Sequence, residues 1–213
     1  LDLLQGKFLT LFGPNGAGKT TLIKILSSLI KPTLGTVWVA GFDTQKNDPQ
    51  MRKKIGVISH VSFLYENLSA YENMIFYARM HNLQNPEERA IQVIEEAGLK
   101  ARMHDRVGAF SRGMLQRVSI ARAVINKPSI LFLDEPFTGL DLHASGRLKG
   151  QLDTLHDKNR TIIMTTHDIS RGLGSCNQAA ILVKGRIAFQ ERVENIDKKN
   201  FEKLYFEIVA EAK

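Results

Sequence analysis

The chain of 213 residues contains a single cysteine, Cys176, a single tryptophan, Trp38, and only six prolines. One cysteine excludes an internal disulfide, and with it the stapled small-domain class, which suits a reducing compartment such as the cytoplasm. Cys176 itself reads as a small, partly buried residue without chemistry of its own. No apolar run approaches the ~18 residues of a membrane-spanning helix, and the first residues lack the pattern of a secretory signal. Internal repeats, low-complexity segments and sustained heptads are absent. So are basic tracts interleaved with aromatics, and nucleic acid is therefore not an expected partner. The charge is basic, with 29 Lys and Arg against 22 Asp and Glu for a net +7. Such a charge suits an anionic membrane surface or nucleotide phosphates equally well, so it decides nothing alone. Hydrophobic residues at 43% and charged residues at 24% are ordinary for a globular chain, and the length suffices for a substantial core. The chain opens at Leu1 almost directly on its first strand, without Met, which leads to the expectation of a truncated N-terminus.

What is present is an alternation of short apolar runs with helical patterns, the signature of a mostly parallel α/β core. Phe8–Phe12, Ile55–Ser59, Ile130–Leu133, Thr161–Thr165 and Ala179–Val183 read as strands buried on both faces. Thr36–Val39 reads as a peripheral antiparallel strand in which Trp38 packs, and Lys184-Gly185 predicts a late hairpin. From about Leu68 to Ala109 the pattern is helical. One helix there starts at Asn85 with Pro86 in its first turn. It carries Ala90, Ile91, Val93, Ile94 and Ala97 as its buried stripe and ends at Gly98. A helical block inserted between the early and late strands predicts a subdomain.

The phosphate chemistry begins after the first apolar run. Gly13, Pro14, Asn15, Gly16, Ala17, Gly18, Lys19 and Thr20, followed by Thr21, fit the pattern G-x-x-x-x-G-K-[ST] between a strand and a helix. Glycines let backbone N–H groups turn inward around phosphate oxygens, and the helix N-terminus adds its partial positive charge. Lys19 is expected to reach the β- and γ-phosphates and the Thr20 hydroxyl to ligate Mg²⁺. Ile130-Leu-Phe-Leu-Asp-Glu135 is an apolar strand ending in adjacent carboxylates, at the sheet edge where ligands bind. Asp134 is expected to hold Mg²⁺ opposite Thr20, and Glu135 to polarise the attacking water as general base. His167 ends another buried run, Thr161–Thr166, where an imidazole can contact the γ-phosphate. A lone histidine is usually structural, so its reading depends on these neighbours.

Phe110-Ser-Arg-Gly-Met114, shortly before Asp134, resembles the LSGGQ signature of ABC ATPases; Thr138-Gly-Leu-Asp141 resembles their D-loop and Thr165-Thr-His-Asp168 their switch-histidine segment. The resemblance covers essentially the whole chain. It implies one ABC ATPase domain over 1–213: a P-loop α/β core with a mostly parallel sheet, a small antiparallel β part and a helical subdomain at about 68–125. It implies ATP hydrolysis with Mg²⁺ in a head-to-tail dimer with a second ATPase subunit. Ser111, Arg112, Gly113 and Met114 would then face the partner's ATP, and Asp141 would communicate across the interface. Ser111 at a helix start with Gly113 beside it is consistent with an anion-binding surface.

The sequence departs from the family in places. Position 60, where the family has its Q-loop glutamine, is His60, which is assigned to the catalytic set as a hydrogen-bonding imidazole. Arg112 and Met114 replace a signature glycine and glutamine, and Arg112 either adds charge near the γ-phosphate or points into solvent. The adenine-stacking aromatic of the family is absent from the chain. Ile58–Leu68, Phe110–Met114 and Met164–Asp168 together resemble the ATPase subunit of the haem exporter of bacterial cytochrome c maturation. This implies a peripheral subunit on the cytoplasmic face of the inner membrane, bound to integral-membrane permeases through the aromatic segment from Ser62 to Met80. The alternative is the ATPase of a drug, lipid or polysaccharide exporter. A soluble ABC ATPase acting on DNA or ribosomes fits less well, because such chains carry a second ATPase domain or a long coiled coil.

Overall fold

The computed structural model describes residues 1–59, 61–157 and 160–211. In chain order the elements are β1 (Phe8–Phe12), α1 (Lys19–Leu26), β2 (Trp38–Val39), β3 (Phe42–Asp43), α2 (Pro49–Lys54) and β4 (Ile55–Ile58). Then come α3 (Ala70–Met80), α4 (Pro86–Glu96), α5 (Arg112–Ala123), β5 (Ile130–Asp134), α6 (Leu142–Asp157) and β6 (Thr161–Thr166). The chain continues through α7 (Ile169–Leu173), β7 (Gln178–Val183), β8 (Arg186–Arg192) and α8 (Phe201–Glu211). The main sheet has the order β4-β5-β6-β1-β7-β8, parallel from β4 to β7 and antiparallel only at β8. The hairpin at Lys184-Gly185 is present, with both residues at positive φ (48° and 78°), the twist that a tight two-residue turn requires.

Apolar alternation within the strands divides the core between the two faces of the sheet. Phe8, Leu131 and Leu133 meet Met74, Ile94 and Val118 from α3, α4 and α5. Leu9, Leu11 and Phe132 point the other way, onto Ile23 of α1 and Met51 of α2. Phe12 and Ile181 pack with Leu173, Phe201 and Tyr205, which fastens α8 to the sheet. Each such side chain, removed from water completely, contributes about 1.5–3 kcal/mol.

Local chemistry explains the helical block. Ser69 caps α3 by accepting the Glu72 N–H, while the Glu72 carboxylate accepts the Ser69 N–H, a complete capping box. Buried Asn73 donates to the carbonyls of Tyr65 and Ser69 and accepts from the Tyr65 N–H, so the loop before α3 is fastened to its first turn. Gly98, at φ 66°, comes after the last turn of α4 in the left-handed conformation that glycine adopts without strain.

Several expectations need correction. The peripheral strand is shorter than Thr36–Val39: only Trp38–Val39 pairs, antiparallel to Phe42–Asp43. Trp38 is 63% exposed rather than packed, because a two-residue ribbon covers only the opposite side chain, Val39. Ile91 also faces solvent, since a helix of this pitch turns it away from the Ala90–Val93–Ile94 stripe. Asn85 makes no side-chain cap on α4. β4 ends at Ile58, one residue short of the expected run.

Candidate functional site

Strand register places the chemistry. β1 sits between β6 and β7, with Phe12 opposite Thr166 and Leu11 opposite Thr165, while Asp134 of β5 lies opposite Thr165. The carboxyl ends of β1, β5 and β6 therefore finish in one row, and Gly13, Glu135 and His167 emerge from the sheet side by side.

The loop between β1 and α1 is shaped by its glycines. A Cβ on Gly13 would stand 2.4 Å from the Leu182 carbonyl oxygen, closer than any real contact, so the loop passes β7 only without a side chain. Gly16 and Gly18 adopt φ values of 80° and 103°, and the Ala17 carbonyl accepts the Gly185 N–H at 2.9 Å. Gly18 is the N-cap of α1 and supplies no side-chain acceptor. The first-turn N–H groups, which no helix satisfies internally, are thus free to serve an anion. Lys19 is 7% exposed. Its ammonium donates to the carbonyls of Gly13 (2.7 Å) and Pro14 (3.2 Å) and lies 3.5 Å from Glu135 Oε1. Thr20 is half-buried, and Asn15, Gly16 and Thr21 are exposed.

The carboxylates are held differently. Asp134 is 4% exposed, and its Oδ1 accepts the Thr165 hydroxyl at 2.7 Å. Glu135 has a positive φ of 52°, a conformation that a non-glycine residue holds only where its surroundings over-determine it. Its N–H is shared between the carbonyl and the hydroxyl oxygen of Thr165, both at 3.1 Å. That backbone turn brings the Glu135 side chain between Lys19 and His167, whose Nδ1 stands 3.0 Å from Oε2. Further out, burial pushes the Tyr205 phenol up, with the Glu135 charge adding to the effect.

A cavity of about 500 Å³ is lined by Asn15, Ser59, Ser62, Arg112, Gln116, Glu135, Thr138 and His167. It joins the phosphate loop to both strand-end residues. Ser111, Gly113, Met114 and Asp141 line a separate cavity of about 190 Å³ with Arg117 and Arg147. Ser111 caps α5 by accepting the Met114 N–H at 3.3 Å, and Asp141 accepts the Ala144 N–H at 2.7 Å in the first turn of α6. Arg112 lines both cavities, its guanidinium lying against Gly139, where a Cβ would meet it at 2.3 Å. His60 lies outside the described residues; neighbouring Ser59 and Ser62 face the larger cavity.

Sequence reasoning missed two residues. Thr165 bridges Asp134 and Glu135, yet in the sequence it is one of several threonines in a buried strand run; only strand register distinguishes it. Arg122 of α5 places its guanidinium against the rings of Phe63 (5.2 Å) and Tyr77 (5.7 Å), and it donates to the Val57 carbonyl. Burial lowers the pKa of this guanidinium, which remains a cation held by ring faces and a carbonyl. Tyr77 donates its hydroxyl to the Phe63 carbonyl. The segment beside the cavity is thereby tied to α3 and α5.

A phosphate-binding loop leaving the central strand, with acidic and imidazole groups at the ends of its neighbours, defines a P-loop nucleotide hydrolase. The comparisons narrow the class. The ABC transporter family matches residues 1–138. The ABC transporter ATP-binding protein NatA of Bacillus subtilis is 33% identical over 199 residues, covering 92% of this chain and 81% of NatA. The bacitracin transport ATP-binding protein BcrA of Bacillus licheniformis is 34% identical, covering 98% of this chain and 68% of BcrA. The dimeric post-hydrolysis structure of the ATP-binding cassette MJ0796, bound to ADP and Pi, superposes with a TM-score of 0.83 at 27% identity, covering 92% of this chain and 89% of that one. The chain belongs to the ABC transporter family. It is an ATP-binding subunit with ATPase activity.

Proposed function

We propose that this chain is the ATP-hydrolysing subunit of an ABC exporter, and that it works as a head-to-tail dimer on the cytoplasmic face of a membrane against integral permease subunits. The observation that carries the reading is the convergence of Lys19, Glu135 and His167, with Glu135 within 3.5 Å of both partners. In this reading Gly13–Thr21 wrap the phosphates. Glu135 takes a proton from the attacking water as it adds to the γ-phosphorus and the bond to the β–γ bridging oxygen breaks, so that ADP leaves, and His167 orients that water and the γ-phosphate. Lys19 neutralises charge that builds on the phosphoryl oxygens.

Among the described residues no cluster of three or more His, Cys, Asp or Glu forms a metal cage. Thr20 and Asp134 instead offer a hydroxyl and one carboxylate, the sparse hard-oxygen set with which Mg²⁺ binds when it arrives with nucleotide phosphates. The donor set fits the ion. Thr20 and Asp134 would hold it, and it would supply charge neutralisation to the phosphates.

The dimer is supported by the separation of the two cavities. Ser111, Gly113, Met114 and Asp141 lie outside the Glu135 cavity, which supports the reading in which they face a second copy's nucleotide. Arg112, which lines both, brings a cation to the junction. We read 1–213 as one catalytic unit in which about 68–125 form the helical subdomain. No helix among the described residues is long and apolar enough to cross a membrane, and in this reading passage through the bilayer is the work of partner subunits. Phe63, Tyr65, Phe76 and Met80 are exposed and supply an apolar face for them.

For the cargo, relatives named for transport of an antibiotic favour the exporter reading over haem delivery. The haem reading rests on three short segments alone. Replacing the host gene by its Lys19→Ala version tests the choice. The account expects increased susceptibility to bacitracin or another amphipathic antibiotic in a panel, with haem-stained c-type cytochromes unchanged. Unchanged susceptibility across the panel, together with loss of haem staining, would reverse it.

A further inference from the structure

We propose that Thr165 is a positioning residue for hydrolysis: its one hydroxyl holds both catalytic-edge carboxylate residues, Asp134 through the side chain and Glu135 through the backbone. The inference rests on the assignment of Asp134 and Glu135 made above, and it gives a role to Thr165, which the switch-histidine resemblance includes without assigning it one.

The available protons set the hydrogen-bond directions. The Glu135 N–H reaches Thr165 Oγ1 at 3.1 Å and can only donate, so Oγ1 accepts there. A hydroxyl has one proton, and at 2.7 Å from Asp134 Oδ1 that proton is donated to the carboxylate. The Thr165 carbonyl accepts the same Glu135 N–H at 3.1 Å. Thr165 is 0% exposed, so water does not compete for these groups. It sits mid-sheet, paired with Leu11 on one side and Asp134 on the other, so its β-branched side chain has little freedom to move.

The bridge acts on both carboxylate residues. One oxygen of Asp134 is committed to Thr165, which fixes the plane of the carboxylate and leaves its other oxygen for the cation that accompanies ATP. At Glu135 the φ of 52° is maintained by a shared N–H bond to Thr165, and this turn carries the carboxylate to Lys19 and His167. Without the hydroxyl, the Glu135 N–H keeps the carbonyl alone and the Asp134 carboxylate rotates. Both reacting groups then lose alignment together. Thr166, the neighbouring threonine, does neither, since its hydroxyl accepts the Asp168 N–H at 3.1 Å.

Thr165→Val keeps the volume and β-branching and removes the hydroxyl; Thr165→Ser keeps the hydroxyl; Thr165→Ala is a smaller hydroxyl-free variant should valine crowd the sheet. Each is made in the full-length protein with its membrane partners. Steady-state ATPase rates and binding of a fluorescent ATP analogue, in EDTA and in Mg²⁺, are compared with Glu135→Gln. Thr165→Val and Thr165→Ala are expected to lower kcat by ~10- to 100-fold, the scale of a misplaced catalytic group. KM should be little changed, nucleotide binding in EDTA intact and the gain in affinity on adding Mg²⁺ reduced. Thr165→Ser should restore both readouts. Equal losses in the serine and alanine variants would overturn the inference, because the hydroxyl would then not be the cause. So would wild-type kcat and Mg²⁺ response in the valine variant while Glu135→Gln is inactive. Normal turnover in Glu135→Gln itself would instead remove the assignment on which the inference stands.

Discussion

Lys19 and His167 flank Glu135 at 3.5 Å and 3.0 Å, and removal of the carboxylate has a distinct signature. Glu135→Gln keeps the shape and the hydrogen-bond acceptor but cannot take a proton, so turnover should fall by about 10²–10⁴-fold with ATP still bound. An ATP-binding titration beside a phosphate-release assay separates the two effects. Gly13→Ala should act through packing instead. The added methyl meets the Leu182 carbonyl oxygen at 2.4 Å, and overpacking of this kind costs about 1–3 kcal/mol. Thermal unfolding and ATP binding should both report it, and an alanine variant with wild-type values in both would contradict the geometry. At Cys176, burial pushes the thiol pKa up, so little of it is thiolate at neutral pH. Alkylation by iodoacetamide should be slow in the folded protein and fast after denaturation. The legible residues were those whose chemistry depends on neighbours in sequence. Gly13–Thr20 and Asp134-Glu135 could be read because the end of a strand determines where the next residues emerge. The Thr165 bridge, the Arg122 stack and the exposure of Trp38 could not, since each depends on which strand or ring lies opposite.

At the scale of elements, α3 shows how a local code positions a distant surface. Its capping box and the buried Asn73 hold the loop of Tyr65–Ser69 against the first turn. Ser69→Ala should cost about 1 kcal/mol, which for a chain of this size is a fall of about 2–4 °C in Tm. The Ser69 groups that Glu72 engages hold its carboxylate below the ordinary range. A group with a depressed folded pKa stabilises above its unfolded pKa and ceases to do so as pH falls through the folded value. The stability difference between wild type and Glu72→Gln should therefore be present at neutral pH and vanish in acid; a difference independent of pH would contradict it. The helical character of this block and the start of α4 near Pro86 were legible from the pattern, although the expected Asn85 cap is not made. Ile91 was misplaced because an 11-residue helix admits more than one apolar stripe, and packing rather than pattern chooses between them. The two-residue strands β2 and β3 are too short to have a period at all.

The whole molecule carries two separate cavities, which the proposed dimer would bring together across two chains. One cavity gathers the phosphate loop with Glu135 and His167, and the other gathers Ser111, Gly113 and Asp141. Glu135 and His167 follow adjacent strands, whereas Ser111, Gly113 and Asp141 lie at the starts of α5 and α6, and how these elements pack is what the sequence does not spell out. In the proposed head-to-tail pairing of two copies, ATP would be a ligand of the closed dimer, and its hydrolysis would remove the contacts that favour closure. The most direct test is the mass in solution of the full-length Glu135→Gln protein, by light scattering, with and without ATP and Mg²⁺. The account predicts a monomer without nucleotide and a dimer with ATP. A protein that binds ATP and stays monomeric would contradict it.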